Sequence, residues 1–138
     1  MLREMRWLKY SALIYAFGLA LHTADHFRRG LDVITPEVLW LGNISTVIGL
    51  ASVVLVLANN KHAPLVAAIT GIPIAIGVSL VHFLPYWGAV SDPFPGGASA
   101  GVTLFSWLAV PIEVGGAFAM GWIGWSIVRD TRSRSLPA

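Results

Sequence analysis

The chain has 138 residues, of which 56% are hydrophobic and only 12% charged, and its mean hydropathy is +0.72. Soluble domains carry roughly a quarter charged residues, so the composition points to an integral membrane protein, in one domain at this length. The formal charge of +2 does not argue for a nucleic-acid partner, because the basic residues flank hydrophobic runs, where they anchor topology. Cysteine is absent, which excludes disulfides, zinc-thiolate sites and iron–sulfur clusters.

The first apolar run, Tyr10 to Leu21, has twelve residues without a charge, whereas a spanning helix needs about 20. One account is a signal peptide cut after Ala20. The fuller account continues the helix to about Arg28, giving a first span over 8–28. The stretch "LHTADHFRRG", residues 21–30, then places His22, Asp25 and His26 in the last turns of a transmembrane helix. Positions i, i+3 and i+4 share a helix face, so the two imidazoles and the carboxylate converge. Extended backward, that face carries Gly18, Tyr15 and Ser11 rather than Leu or Ile, which turns it toward a bundle interior.

The second span, 37–59, is entered through "TPE", with Thr35 as N-cap and Pro36 at the first helical position. It gathers Gly42, Ser45, Gly49 and Ser52 on one face. Lys61 and His62 follow in a short turn, where His62 reads as a solvated anchor. The third span, 64–84, lies between Pro64 and Pro85, and its small residues Ala67, Gly71, Ala75 and Ser79 recur every four positions, a pattern that lets backbones approach. His82 falls at its end, on that small-residue side.

The loop "PYWGAVSDPFPGGASAG" is suited to lie against the membrane interface as a cover, with Tyr86 and Trp87 as belt residues and Asp92 as a turn residue. The fourth span, 101–128, bears Glu113 beside Ser106, Ala109, Gly116 and Ala117 on an inward face, and its small pairs Gly115/Ala119 and Ala117/Gly121 are further packing positions. Pro111, just ahead, frees a backbone carbonyl. Glu113 is a possible proton relay; the plainer account is a hydrogen bond to Asn43 or a serine. Glu37 reads as a first-turn helix residue and Asp32 as solvated.

An all-α, four-helix transmembrane bundle is therefore expected over 1–138. Arg3, Arg6, Lys9, Lys61, Arg129, Arg132 and Arg134 fall on one side and Arg28 and Arg29 on the other. The positive-inside rule then puts both termini in the cytoplasm of the cell (inner) membrane. Helices 1 and 3 both run outward, so His22, His26 and His82 share one depth at the outer leaflet. Ionisable groups in a bilayer cost about 2.5–3.5 kcal/mol each on insertion scales, so such a cluster needs a compensating partner.

Three partners fit. A transition metal ion (Cu, Zn or Fe) would take His22, His26 and His82 as ligands, with Asp25 as a ligand or as an acceptor behind one. Heme b would lie between His82 and His22 or His26, its propionates near Arg28 and Arg29. A cofactor-free hydrogen-bonded network is the third. The matching functions are a metal site with redox, hydrolytic or metal-handling activity, a small membrane cytochrome, and an accessory or assembly subunit of a larger membrane complex. The small-residue stripes also suit a homo-oligomer. Whether the protein is an enzyme is left open.

Overall fold

The computed structural model describes residues 2–97 and 99–135. They form four long helices: α1 (Leu2–Arg29), α2 (Pro36–Leu57), α3 (Ala63–Phe83) and α4 (Leu104–Ser135), with short 3-10 turns at Leu31–Val33 and Pro95–Gly97. Among the described residues, α2, α3 and α4 are long and apolar enough to cross a membrane. α1 is a single uninterrupted helix of 28 residues that shares its apolar run with His22, Asp25 and His26. As a helix it begins at Leu2, ahead of the span expected over 8–28, and α4 runs as a helix from Leu104 to Ser135. The side chain of Arg134 lies outside the described residues.

α4 occupies the centre, packed between α1 and α3, with α2 at the side. Glycine makes these seams possible. A Cβ on Gly18 would stand 2.5 Å from Glu113 Cα, and one on Gly116 would stand 2.6 Å from Tyr15 Cα, so the α1 and α4 backbones touch through hydrogen alone. Gly71 meets the main chain of Ala117 and Gly121 in the same way between α3 and α4. As position rises along α1 or α3 it falls along α4, so α4 is antiparallel to both.

The core is a column of Leu8, Ala12, Tyr15, Leu19, Val53, Val56, Ala67, Ala75 and Met120, among others. α2 contributes to it only through its second half. The expected small-residue face of α2 divides: Gly49 and Ser52 are buried, but no residue from Leu39 to Ile48 is, and a Cβ on Gly42 would meet nothing within 4 Å. The first half of α2 therefore stands away from the bundle, leaving a cavity of about 650 Å³ between α1, α2 and α3. Thr35 caps α2 as expected, its Oγ1 accepting from the Val38 amide at 3.3 Å. His62 is exposed in the α2–α3 turn.

The 84–103 connection folds back onto the ends of α1 and α3. Ser91, Asp92, Pro93 and Phe94 are buried, and the Asp92 and Phe94 amides donate to the Val81 and His82 carbonyls at 3.0 and 2.9 Å. Tyr86 and Trp87 remain exposed at its outer edge.

Candidate metal centre

Three imidazoles meet where α1, α3 and the connecting segment come together. His22 and His26 are one turn apart on α1, and their ring centroids lie 4.5 Å apart. His82, entering from the last turn of α3, brings its ring to 4.7 Å from that of His22 and 5.8 Å from that of His26. Each offers one ring nitrogen, and the three nitrogens all lie within 4.8 Å of one another. With metal–nitrogen bonds of about 2.0–2.1 Å, three nitrogens around a tetrahedral ion stand roughly 3.3 Å apart. A small inward movement of the rings reaches that spacing.

The far nitrogens of two rings are tied back. His82 Nδ1 lies 3.0 Å from the Asp92 main-chain oxygen. A carbonyl only accepts, so Nδ1 carries the proton and Nε2 keeps its lone pair for the cluster. His22 Nδ1 donates to Glu113 Oε2 on α4. Its Nε2, buried with the rest of a ring that is only 7% exposed, has no hydrogen-bond partner, and neither has His26 Nδ1. Buried polar atoms are almost always satisfied, so two orphaned nitrogens in one cluster call for an additional group between them.

Glu113 thus has His22 as its partner and neither Asn43 nor a serine. Depth explains the difference. His22 lies seven residues before the end of α1, about 10 Å at 1.5 Å per residue, and Glu113 lies nine residues into α4, about 14 Å. The contact at Gly18 and Glu113 then places His22, one turn further out on α1, beside the Glu113 side chain. Asn43 is exposed on the detached half of α2 and lines the cavity.

Asp25 is fully buried, and its Oδ2 has no hydrogen-bond partner. Its Oδ1 accepts from Arg28 Nε and Nη2 at 3.0 and 2.8 Å, and it does not join the group of converging ligand atoms. Arg28 also donates to the Gly101 carbonyl at 2.7 Å and the Ser106 hydroxyl at 3.3 Å, stapling the end of α1 to the start of α4. Gly101 sits at φ 71°, the left-handed region that glycine enters without strain.

Arg29 is committed as well. Its guanidinium, 0% exposed, makes a two-pronged pair with Asp92, Nη1 to Oδ2 at 2.7 Å and Nη2 to Oδ1 at 2.6 Å, and its Nε donates to the Ala100 carbonyl at 3.0 Å. Neither arginine is therefore free to receive propionates. Asp92 is accordingly not a loop-turn residue but a buried acid that latches the connecting segment to α1. Burial works to raise its carboxyl, yet hydrogen bonds from Arg29 and Ser99 and the Arg29 charge hold it below the usual carboxylate value of 3.8.

Phe94 completes the enclosure, its ring 4.8 Å from His82 and 5.5 Å from Trp107, with the Arg29 guanidinium 5.7 Å from its centroid. On the opposite side His22, His26, His82 and Glu113 line one end of the cavity beside α2. Asp92 and Phe94 carry a weak signal in "SDPFP", an acid among apolar residues and prolines; the two adjacent arginines, which need counter-charges, are the better clue. Comparison with protein-family models, with curated proteins and with solved structures finds no match for this chain.

Proposed function

We propose that this protein is a four-span membrane protein that holds a transition metal ion, copper, zinc or iron, on His22, His26 and His82. The observation that carries the reading is the arrangement of ring nitrogens. Three converge, while the second nitrogens of His22 and His82 are tied to Glu113 and the Asp92 carbonyl. Metal-bound histidines characteristically donate their other N–H to a carboxylate or a main-chain carbonyl, which fixes the tautomer and strengthens the ligand. An ion held by His22, His26 and His82 would supply Lewis-acid chemistry, or redox chemistry with copper or iron.

The remaining residues have separate tasks in this reading. Glu113 orients His22. Asp92 orients His82 through its main chain and holds the covering segment through its side chain. Asp25 positions Arg28 rather than acting as a ligand. Heme b fits less well, because His22 and His82 meet edge to face at 79° with centroids 4.7 Å apart, and no plane is left between them for a macrocycle. The basic residues support a topology with both termini cytoplasmic, which puts the cluster toward the outer face of the cell membrane.

Elemental analysis and a visible spectrum of the purified protein test the reading directly. One metal ion per chain is expected, lost in His22→Ala, His26→Ala and His82→Ala alike. A metal-free, colourless protein whose stability ignores chelators would overturn it in favour of an accessory subunit of a membrane complex.

A further inference from the structure

The cavity beside α2 is more than a packing gap. Along α3 its lining runs from Ile69 to His82, thirteen residues or about 20 Å, which exceeds half of the ~30 Å hydrocarbon layer of a bilayer. Its volume of about 650 Å³ falls inside the roughly 300–1,000 Å³ range of small-molecule sites. The walls are mainly aliphatic, with Leu19, Val38, Ile48, Ile74, Val78 and Val81 among them and Asn43, Ser45, Thr46 and Thr70 as polar exceptions. The cavity lies beside the exposed first half of α2, and the imidazole cluster is part of its lining. The space is long and mainly apolar, and its lining includes His22 and His26, each with a buried ring nitrogen that has no partner.

Charge narrows the head group. Arg28 is paired with Asp25 and Arg29 with Asp92, so these four residues cancel. A metal cation on His22, His26 and His82 would bring positive charge that neither pair offsets. Uncompensated charge at low dielectric is costly, and an anionic oxygen on the ion would offset it. Building on the metal reading above, we propose that the cavity binds a single-chain lipid carboxylate, its aliphatic chain between α1, α2 and α3 and its head group on the metal held by His22, His26 and His82.

Two glycines allow a clean test. Gly42 and Gly77 both line the cavity, and a Cβ on either meets nothing within 4 Å. Gly42→Phe and Gly77→Phe therefore fill the chain-binding space without touching the helix seams or the ligands. The experiment uses the cobalt-loaded protein in lipid nanodiscs and follows the visible bands of the ion during titration with hexadecanoate or acetate. Hexadecanoate is expected to perturb the spectrum at concentrations at least ~100-fold below acetate, a gain equivalent to about 2.8 kcal/mol at 1.4 kcal/mol per tenfold.

In both glycine variants that advantage should fall at least tenfold, with metal content and the acetate response unchanged. Because hexadecanoate also concentrates in the bilayer, the loss in the variants is the deciding result. A metal-loaded protein whose hexadecanoate response is the same in wild type and in both variants overturns this proposal and leaves the metal site standing. A wild-type protein that takes up no stoichiometric metal overturns the reading on which it rests.

Discussion

His82 and Asp92 are joined twice: His82 Nδ1 donates to the Asp92 main-chain oxygen at 3.0 Å, and the same nitrogen lies 3.6 Å from a carboxylate oxygen of Asp92. One residue thus sets the tautomer of an imidazole with its backbone and fastens the covering segment to Arg29 with its side chain. Removing the carboxylate charge leaves the carbonyl in place, so the two tasks can be separated by mutation.

Asp92→Asn leaves the buried guanidinium of Arg29 without its counter-charge. Breaking a buried pair from one side costs about 3–5 kcal/mol, and a loss of that size is expected in chemical or thermal denaturation. The pH dependence has a definite sign. The folded carboxyl lies below its usual value of 3.8, so the latch contributes fully above that value and is lost as pH falls through the lower, folded one. Melting curves between about pH 5 and pH 3 should show an acid destabilisation in wild type that is reduced in Asp92→Asn. Equal acid sensitivity in the two proteins would show that the latch carries no linked proton.

Much of this architecture is legible in local pattern. Helix starts at Thr35 and Pro64, the small-residue face of α3, and the common depth of His22, His26 and His82 all follow from spacing and hydropathy, because each is a property of one helix or of the alternation of directions. The pairing of His22 with Glu113, 91 positions apart, is not of that kind. It depends on how deeply α1 and α4 interlock at Gly18, which no periodicity encodes. Asp25 shows the complementary limit. The i, i+3, i+4 rule puts it beside both histidines, but a carboxylate that can reach Arg28 one turn on takes that partner instead. The outward lean of α2 is equally invisible, since its small-residue face reads as a packing seam along its whole length.

Gly18 tests the seam that sets the site. Gly18→Ala places a methyl group 2.5 Å from Glu113 Cα, and the helices must separate to admit it. Overpacking of this kind costs about 1–3 kcal/mol. Both the melting temperature and the metal affinity are expected to fall, because separation also draws Glu113 away from His22. Gly77→Ala, in open space, should leave the metal affinity unchanged. A Gly18→Ala protein with native stability and metal content would mean that the close approach does not govern the cluster.

The membrane orientation rests on the basic residues. A single cysteine introduced at Ser133 should resist membrane-impermeant thiol reagents in intact cells, whereas one at the exposed Tyr86 should react; the absence of native cysteine makes both readings clean. Labelling in the reverse pattern would turn the protein over and place the imidazole cluster near the cytoplasmic face.

Glu113 allows the metal reading to be graded. It touches His22 and is not itself one of the three converging ligands, so its loss should weaken binding without abolishing it. Changes to such supporting partners typically cost 10–100-fold in metal affinity, and Glu113→Gln is expected within that range because the amide still offers an oxygen to Nδ1–H. Glu113→Leu, which offers none, should lie at or beyond its upper end. His82→Ala, by contrast, removes a ligand and should leave no tight binding. Titration calorimetry with zinc reads all of these together. Glu113→Gln and His82→Ala proteins of equal affinity, whether both strong or both lost, would show that Glu113 does not act through His22.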